Sequence, residues 1–425
     1  MHAPRPLPLL VILLLLSGPA LGQHTAVPDT VLPTVGASRH AVRLLALGSH
    51  PPQDVVDLYR QLFPRTRVAA HDTAADKGQK FVWVMPTVGY TQQTGLLAQV
   101  AGSVAFRQPQ ANMSSVLAAL SYTQERQLIL TVTNFIWSPA NRTNWTGDWR
   151  LMRYPQNTFG LGMRTSLSRF VRMDFNYLRL YQSVLRRVGQ KLYLGPGLQL
   201  DDHWNIVSQG PDGRRVTVIS DYVLGINGRS VSVGPTLSLL YDTRRNAINP
   251  EQGTYLNVLA RANLRWLGSD AAYQTLLLDA RTYLPLRPGS PNLLALWSYS
   301  ALTLHGTPPY LHLPATGWDT YSNVGRGFIQ GRFRGSNLLY AEAEYRFGIT
   351  RNRLLGGVVF GNAQTVSENT AATNVLEARF RRIVPALGAG LRLSLNKVSR
   401  INLSADYAVG ADGSRGFSFN IGEVF

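Results

Sequence analysis

The chain has 425 residues, with 42 lysines and arginines against 24 aspartates and glutamates, a formal net charge of +18 and no cysteine. That length fits one large barrel or two or three small domains. The lack of cysteine excludes a disulfide scaffold, a thiolate metal site, a cysteine nucleophile and a lipid-anchored N-terminus.

Residues 1–22 have the pattern of a secretory signal peptide. A basic start with Arg5 precedes the apolar run Leu7–Leu16, and the small residues Ala20 and Gly22 end the segment. The apolar run is shorter than the roughly 20 residues that a membrane-spanning helix needs. We therefore expect this segment to be cleaved, and we disfavour the alternative of an uncleaved membrane anchor. No later stretch is apolar enough for a spanning helix, so the mature chain is predicted to be secreted or to be a membrane β-barrel.

Residues 23–80 show no strand periodicity and end in a polar stretch. Within them, Gln53–Phe63 is bracketed by prolines and has the pattern of a short amphipathic helix. We interpret this segment as a periplasmic N-terminal linker with one helix.

Residues 81–425 change to an alternation with a period of two, which is typical of strands. In Tyr255–Trp266 the even positions are apolar, while the odd positions include asparagine and arginine. In Leu338–Phe347, leucine, alanine and aromatic residues alternate with a polar set that includes Glu342 and Glu344. Breaks rich in Gly, Pro, Asn and Asp separate about sixteen such segments, an even number as closed bacterial barrels have.

A soluble β-sandwich also alternates, so the nature of the polar face decides between the two folds. Here the polar faces carry charges of both signs, such as Asp279, Arg281 and Arg346, on strands whose other face is uninterruptedly apolar. The lipid side of an outer-membrane barrel must be apolar, whereas its lumen tolerates paired charges. The sequence therefore predicts an all-β protein: a transmembrane antiparallel barrel of about sixteen strands over residues 81–425, in the bacterial outer membrane.

The last residues, Gly416–Phe425, are expected to form the final strand. Aromatic or large apolar residues recur on one face and at the terminal position: Phe417, Phe419, Ile421 and Phe425. Outer-membrane barrels that are inserted by the cell's assembly machinery end in this way. An ordinary edge strand is the alternative, but such an edge would invite aggregation unless it closed a barrel.

The seam between the first and last strands is expected to be weak. The first strand, near Phe81–Tyr90, contains Pro86, which lacks an N–H donor, and Gly89 close by. We therefore predict poor pairing with Gly416–Phe425 and a lateral gate at this position.

The longest irregular stretch of the barrel is His305–Gly335, and loops of this length are usually functional or plug the lumen. Gly325 and Gly327 flank Arg326 and permit positive φ angles, so a tight tip can present one guanidinium group. Acidic side chains on the lumen faces of the following strands can hold that guanidinium by bidentate pairing: Glu342, Glu344 and Asp406.

Three segments resemble the bacterial surface antigen family, the BamA/TamA-type outer-membrane assembly factors. The first is similar to the family's turn between the eighth and ninth strands and consists of Asp242, Thr243, Arg244, Pro250 and Gly253 at the matching spacing. The second resembles the family's loop motif and the strand after it, with Gly325, Arg326, Gly327 and Phe328 followed by Glu342–Phe347. The third is the ending described above, and together the three span roughly residues 81–425.

The resemblance implies that the long loop folds back into the lumen and that Arg326 pairs with acidic groups on the wall, Glu344 among them. One position departs from the family pattern. Many members have an Asp in an F-x-D motif on the thirteenth strand, where this chain has Asn362. An asparagine accepts a hydrogen bond but carries no charge, so the acidic partner of Arg326 stays open at this point. Residues 23–80 also differ in length and helix number from the periplasmic polypeptide-transport-associated modules of full assembly factors.

By this resemblance the barrel is expected to insert or export outer-membrane or surface proteins through a lateral gate. A plugged structural or channel-forming barrel is the alternative. The implied partners are outer-membrane lipids with lipopolysaccharide, the assembly machinery for the barrel's own insertion, and protein clients or a separate periplasmic partner. The excess of arginine favours lipopolysaccharide phosphates or acidic periplasmic partners, unless it reflects only a GC-rich genome.

Enzymatic chemistry is not expected, because the common nucleophile, metalloprotease and phosphate-loop motifs are missing from the sequence. The compact acidic and histidine cluster Asp201–His203 is more typical of a solvated turn at a strand end than of a metal site. We expect no cofactor and no metal, and no module for nucleic-acid recognition is present.

Overall fold

The computed structural model describes residues 52–55, 57, 58, 80–287, 290, 292–368, 378–397 and 400–425. The predicted signal peptide and most of the predicted linker lie outside the described residues. No helix in the described part of the chain is both long and apolar enough to cross a membrane.

Within the described residues, seventeen strands form one antiparallel sheet that closes on itself, because β1 pairs with β17. Apart from the short β6, which lies beside β7, each strand pairs with its neighbours in the chain, so sixteen strands form the wall. The predicted fold of about sixteen strands is confirmed. The strands are β1 Phe81–Thr91, β2 Gly95–Arg107, β3 Met113–Thr123, β4 Leu128–Trp137, β5 Thr143–Arg153, β6 Gln156–Thr158, β7 Val171–Gly189, β8 Leu192–Gln209, β9 Gly228–Asp242, β10 Gly253–Asn263, β11 Tyr273–Pro285, β12 Leu293–Gly306, β13 Asn337–Gly348, β14 Leu355–Val366, β15 Val384–Asn396, β16 Ile401–Gly410 and β17 Arg415–Ile421.

The wall buries its charged face and exposes its apolar face. On β13, Glu342 and Glu344 are buried, whereas Ala341 and Ala343, which precede each of them, are exposed. On β15 the apolar side chain of Leu387 is likewise on the outer face and is 71% exposed. A soluble protein would bury the opposite face, so this pattern requires lipid around the barrel and charges in the lumen.

The two ends of the barrel differ in loop length. At one end, β7 and β8 are joined by only two residues, while at the other end residues 154–170, 210–227 and 307–336 form long connections. Bacterial barrels have short periplasmic turns and longer extracellular loops. We therefore call the end with the short turns the periplasmic end and the other the outer end.

Described residues of the predicted linker lie at the periplasmic end. Val55, Asp57 and Leu58 are helical, and the N–H of Leu58 donates to the carbonyl of Asp54 at 3.1 Å. The Asp57 carboxylate lies 2.6 Å from Nζ of Lys397 in a periplasmic turn. The segment is thus attached to the turns beside the last wall strands.

The connection between β12 and β13, residues 307–336, folds into the barrel, and we call it the lumen loop. Its side chains Tyr310, Phe333 and Arg334 are at most 1% exposed. Arg334 forms bridge pairs with Gly162 of another outer loop and with Ala315 of the lumen loop itself. The lumen is therefore filled by packed side chains.

The final strand is shorter than its sequence pattern suggests. β17 ends at Ile421, and Gly422 has a φ of +105°, which redirects the chain. Val424 and Phe425 are then buried inside the barrel, at 4% and 3% exposed. The expectation that the strand runs to Phe425 was wrong, because the last residues find hydrogen-bond and aromatic partners in the lumen.

Candidate functional site

The tip of the lumen loop is built on two glycines with left-handed backbone. Gly325 and Gly327 have φ angles of +84° and +95°. A Cβ added to Gly327 would lie 3.0 Å from Cβ of Ala408 and 3.3 Å from Cβ of Ala386. Glycine is therefore required at Gly327 both for its backbone angle and for its close approach to the wall.

Arg326, between these glycines, points its guanidinium into an acidic pocket of the wall. Its Nη2 donates to Glu342 and to Glu344 on β13, and its Nη1 donates to Oδ2 of Asp406 on β16 at 3.2 Å. The guanidinium also lies 3.5 Å from the ring centroid of Phe360. The structure thus brings together Arg326 and all three acidic residues that the sequence pointed to.

Two wall arginines extend this cluster. Arg346 lies 2.6 Å from Glu344, and Arg392 lies 2.6 Å from Asp406 and 2.7 Å from Glu423. Each carboxylate therefore faces a guanidinium, as buried ionised groups require. We call the set Arg326, Glu342, Glu344, Arg346, Arg392, Asp406 and Glu423 the lumen cluster.

Asn362 has a different role from the one that the family pattern suggests for its position. Its side-chain Nδ2 donates to the backbone carbonyl of Arg326 at 3.0 Å, so it holds the loop tip without contacting the guanidinium. Phe328, also from the motif, is buried and packs edge-on against Phe333 with ring centroids 5.6 Å apart. A Cβ on Gly410 would lie 2.4 Å from the Phe328 ring, so that glycine makes room for it.

The loop tip lies against the last wall strand, close to the seam. A Cβ on Gly416 of β17 would come within 3.3 Å of Cα of Gly327. In the described residues the seam has a single residue pair, Tyr90 with Phe419, whereas other neighbouring wall strands share seven or more. β1 is regularly paired to β2 on its other side, with Pro86 opposite Val100. The seam is thus the weakest pairing in the wall.

The residues after β17 tie the same region together, and we call Glu423–Phe425 the C-terminal tail. Arg346 Nη2 donates to the carbonyl oxygen of Phe425 at 2.6 Å, and Asn323 Nδ2 of the lumen loop donates to that of Val424 at 2.6 Å. The Phe425 ring packs against Trp297 with centroids 5.1 Å apart. The tail therefore connects the last strand to the lumen loop and to β12 and β13 of the wall.

The turn motif that begins at Asp242 lies at the periplasmic end, between the eighth and ninth strands of the wall. The Asp242 carboxylate accepts three bonds at 3.0 Å from the backbone and side chain of Arg244, and the N–H of Thr243 donates to the carbonyl of Thr254 at 2.9 Å. Pro250 is buried, and Gly253 has a φ of +107°. These bonds shape the turn itself and do not reach the lumen cluster.

The residues of the predicted insertion signal lie in two different environments. Phe417 and Ile421 are exposed on the outer face of β17, and the rings of Phe417 and Phe419 meet edge-on with centroids 4.5 Å apart. Phe425 lies in the lumen instead. Its role as an insertion signal stays a prediction.

Comparison with known families identifies the part of the chain that carries this site. Residues 227–425 match the family model described as the Omp85 superfamily domain. The match covers slightly less than half of the chain, and these residues are similar to an Omp85 superfamily domain. The matched residues span β9 to β17 and include the lumen loop, so the whole lumen cluster lies within the match.

Solved structures share the fold of the whole barrel. BamA from Haemophilus ducreyi lacking POTRA domains 1–3 matches with a TM-score of 0.53 and 14% identity over 81% of this chain and 70% of that chain. CdiB from Acinetobacter baumannii matches with a TM-score of 0.52 and 14% identity over 81% of this chain and 59% of that chain. CdiB from Escherichia coli matches with a TM-score of 0.52 and 11% identity over 79% of this chain and 62% of that chain. The chain therefore spans about three fifths of the CdiB chains. No curated protein matches it. The lipid-facing barrel and the match to the Omp85 superfamily domain place the protein in the bacterial outer membrane.

A second charged network is centred on β7 and β8, which precede the matched residues, and also includes Arg261 of β10. Asp201 lies in the middle of β8 and is fully buried, with Arg261 Nη1 at 2.6 Å and the Tyr181 hydroxyl at 2.8 Å. Tyr177 also donates to it, and the Tyr177 ring stacks on His203 with centroids 4.0 Å apart. The interpretation of Asp201–His203 as a solvated turn was wrong, because period-two alternation in a long strand turns residues 201 and 203 into the lumen. That alternation was the signal that could have found the network.

The lumen loop contacts this second network through His312. Its Nδ1 lies 4.0 Å from Oδ2 of Asp201, and its ring meets that of His203 edge-on at 4.9 Å. In the described residues, no group of three or more His, Cys, Asp or Glu side chains is placed to hold a metal ion. The network thus acts as a second attachment point of the loop.

Protonation of His312 is expected to make the stability of the barrel depend on pH. Burial lowers its pKa from the ordinary 6.5 to about 4; Asp201 opposes this shift, and Arg261, Arg179 and Arg334 add to it. Because the unfolded chain binds the proton more readily, stability falls as the pH drops from 6.5 towards 4. Between pH 7 and pH 5, His312 is expected to lower the free energy of unfolding by about 2 kcal/mol. We expect His312→Gln to remove this part of the pH dependence. Urea unfolding in detergent micelles at the two pH values measures this, and an unchanged pH dependence would show that His312 is already protonated in the folded barrel.

Proposed function

We propose that the protein inserts or exports outer-membrane or surface proteins by opening between β1 and β17. The Omp85 domain at residues 227–425 and the fold shared with BamA and CdiB support this proposal. The observation that carries it is the single residue pair at the seam, Tyr90 with Phe419, beside a loop tip anchored by buried charges. The proposal requires no enzymatic chemistry.

In this proposal, Arg326 locks the lumen loop in the position that sets the seam. The guanidinium holds the tip to β13 and β16, while Gly327 rests on Gly416 of β17. Displacement of the tip would remove the inner support of the last strand. The C-terminal tail, bonded to Asn323 of the same loop, would move with it.

A plugged barrel without client handling is the second candidate. The observation in its favour is the filled lumen, in which Tyr310 and Arg334 of the lumen loop are fully buried. In that case the lumen cluster serves only to fix a plug. The two candidates differ in whether any other protein depends on the barrel.

Photocrosslinking at the seam tests the proposed function. A benzophenone amino acid at Tyr90, which is 37% exposed, is expected to capture client polypeptides in growing cells. The same group at Trp149 on β5, which is 42% exposed and lies away from the seam, serves as the matched control. Adducts at Tyr90 and none at Trp149 support the proposal. Equal yields at both positions, or no adduct at Tyr90, would favour the plugged barrel.

A further inference from the structure

The periplasmic end of the barrel is ringed by basic residues. Each of its seven turns, or the strand end beside it, carries at least one arginine or lysine. The residues are Arg107, Arg142, Arg186, Arg187, Lys191, Arg244, Arg245, Arg287, Arg351, Arg353, Lys397 and Arg400. We call this set the basic ring.

The charge of the two ends is unequal. In the sequence of the seven periplasmic turns and the strand ends beside them, the acidic residues are Asp242 and Glu251. The outer loops mix both signs, with acidic residues such as Asp212, Asp270 and Glu368 among their arginines. The excess positive charge of the chain is therefore concentrated at the periplasmic end, where it creates a positive potential.

Exposed aliphatic side chains place the ring at the depth of lipid headgroups. Leu286 is 55% exposed and directly precedes Arg287, which is also exposed. Ile349, at 48%, stands two residues before exposed Arg351, and Val188, at 57%, lies between Arg187 and Lys191. These aliphatic groups need acyl chains around them, so the adjacent cations lie where phosphates begin.

Carboxylates of the chain already occupy parts of the ring. Asp57 lies 2.6 Å from Lys397, and Glu251 lies 2.8 Å from Arg400. Asp242 likewise lies 3.0 Å from Arg244. The ring therefore attracts anions, but each of these carboxylates occupies a single point on it. A partner for the whole ring must surround the barrel, which a membrane leaflet does and a protein docked on one side does not.

We propose that the basic ring binds the phosphate groups of anionic phospholipids in the periplasmic leaflet of the outer membrane. Arginine and lysine near a membrane surface attract such headgroups through charge and hydrogen bonds. The binding would fix the depth and tilt of the barrel. It depends on the outer-membrane location and not on the handling of clients.

Spin-label spectroscopy tests the proposal on the purified full-length chain. The protein is reconstituted in phosphatidylcholine vesicles with spin-labelled phosphatidylglycerol or spin-labelled phosphatidylcholine, and the immobilised fraction gives their relative association constants. We expect a preference for phosphatidylglycerol of about fivefold, the factor that one basic contact per headgroup supplies. High salt should abolish the preference, because the Debye length is about 3 Å at 1 M.

Two charge-matched variants separate the ring from the rest of the surface. The ring variant combines Arg186→Gln, Lys191→Gln, Arg287→Gln and Arg351→Gln, and is expected to lose most of the preference. The control variant combines four exposed outer-end changes, Arg126→Gln, Arg169→Gln, Arg214→Gln and Arg265→Gln, and is expected to keep it. Mobility of unboiled samples on gels verifies that both barrels are folded.

The outcomes that overturn the proposal are specific. An equal loss in both variants would show a general effect of net charge. No preference in the wild type would show that the ring does not bind this headgroup. Binding of a polyglutamate peptide that is lost only in the ring variant, with the lipid preference unchanged, would assign the ring to an acidic polypeptide instead.

Discussion

Arg326→Ala is expected to leave the barrel assembled in the outer membrane but to abolish its support of client proteins and to make it leak ions. The substitution removes the one guanidinium that joins the lumen loop to Glu342, Glu344 and Asp406. Glu344 and Asp406 keep the wall arginines Arg346 and Arg392. Glu342 keeps only the hydrogen bond from Tyr340 among the described residues.

The energetic effect is large because the pair is buried. Breaking a buried ion pair by removing one partner costs about 3–5 kcal/mol, and water that enters the lumen reduces this cost. The sixteen-strand ladder does not depend on the loop tip, so assembly should survive. The loop tip should move away from Gly416, and β17 should then lose its inner support at the seam.

Two further variants define the effect. Arg326→Lys keeps the charge but loses the planar fork, so it should reach one carboxylate instead of three and give an intermediate defect. Arg214→Ala removes an arginine that is 88% exposed in an outer loop, and should behave as wild type. Client levels in the outer membrane and single-channel conductance are the readouts. Leakage with normal client levels would favour the plugged barrel, and a variant with neither defect would show that the loop lock has no role.

Closing the seam covalently is expected to block function reversibly. Tyr90 and Phe419 are directly opposed across the seam, and the chain has no cysteine of its own. The double variant Tyr90→Cys with Phe419→Cys should therefore form one defined disulfide in the oxidising periplasm. If β1 and β17 must separate, the oxidised protein will be inactive, and reduction will restore it.

The matched control places the same bond elsewhere in the wall. Val100 on β2 and Leu120 on β3 are opposed, and both are exposed to lipid. Val100→Cys with Leu120→Cys should form a disulfide without loss of activity, because this pair belongs to a continuous ladder. Gel mobility with and without reductant measures both bonds. A seam disulfide that forms fully and has no effect would exclude lateral opening.

Much of the fold could be predicted because the bilayer imposes a simple rule on every strand. Glu342 and Glu344 alternate with alanines, and only a lumen on one side and lipid on the other accommodates both faces. The flanking glycines of Arg326 and the acidic residues on the strands after it likewise predicted the contacts of Arg326 with Glu342, Glu344 and Asp406. These features depend on residue type and spacing within short segments.

Other features depend on contacts between distant segments and could not be predicted. In the sequence, the alternating pattern of the last strand continues past Gly422. In the structure the chain turns there, because hydrogen bonds from Arg346 and Asn323 hold the C-terminal tail in the lumen. Asn362 donates to the backbone carbonyl of Arg326. The family motif suggests a side-chain partner for the guanidinium at this position, so it does not predict this backbone contact. Asp201, in contrast, could have been placed in the lumen from the period-two alternation, because it lies in the middle of the 18-residue strand β8 and not at a strand end.

Quantitative proteomics of the outer membrane tests the central claim most directly. In a strain that lacks the wild-type protein and carries the Tyr90→Cys, Phe419→Cys variant, specific outer-membrane or surface proteins should be depleted while the seam is oxidised and should return after reduction. The Val100→Cys, Leu120→Cys strain should show no such change. An outer-membrane protein content that is the same in the oxidised, reduced and deletion strains would contradict a role in protein insertion or export.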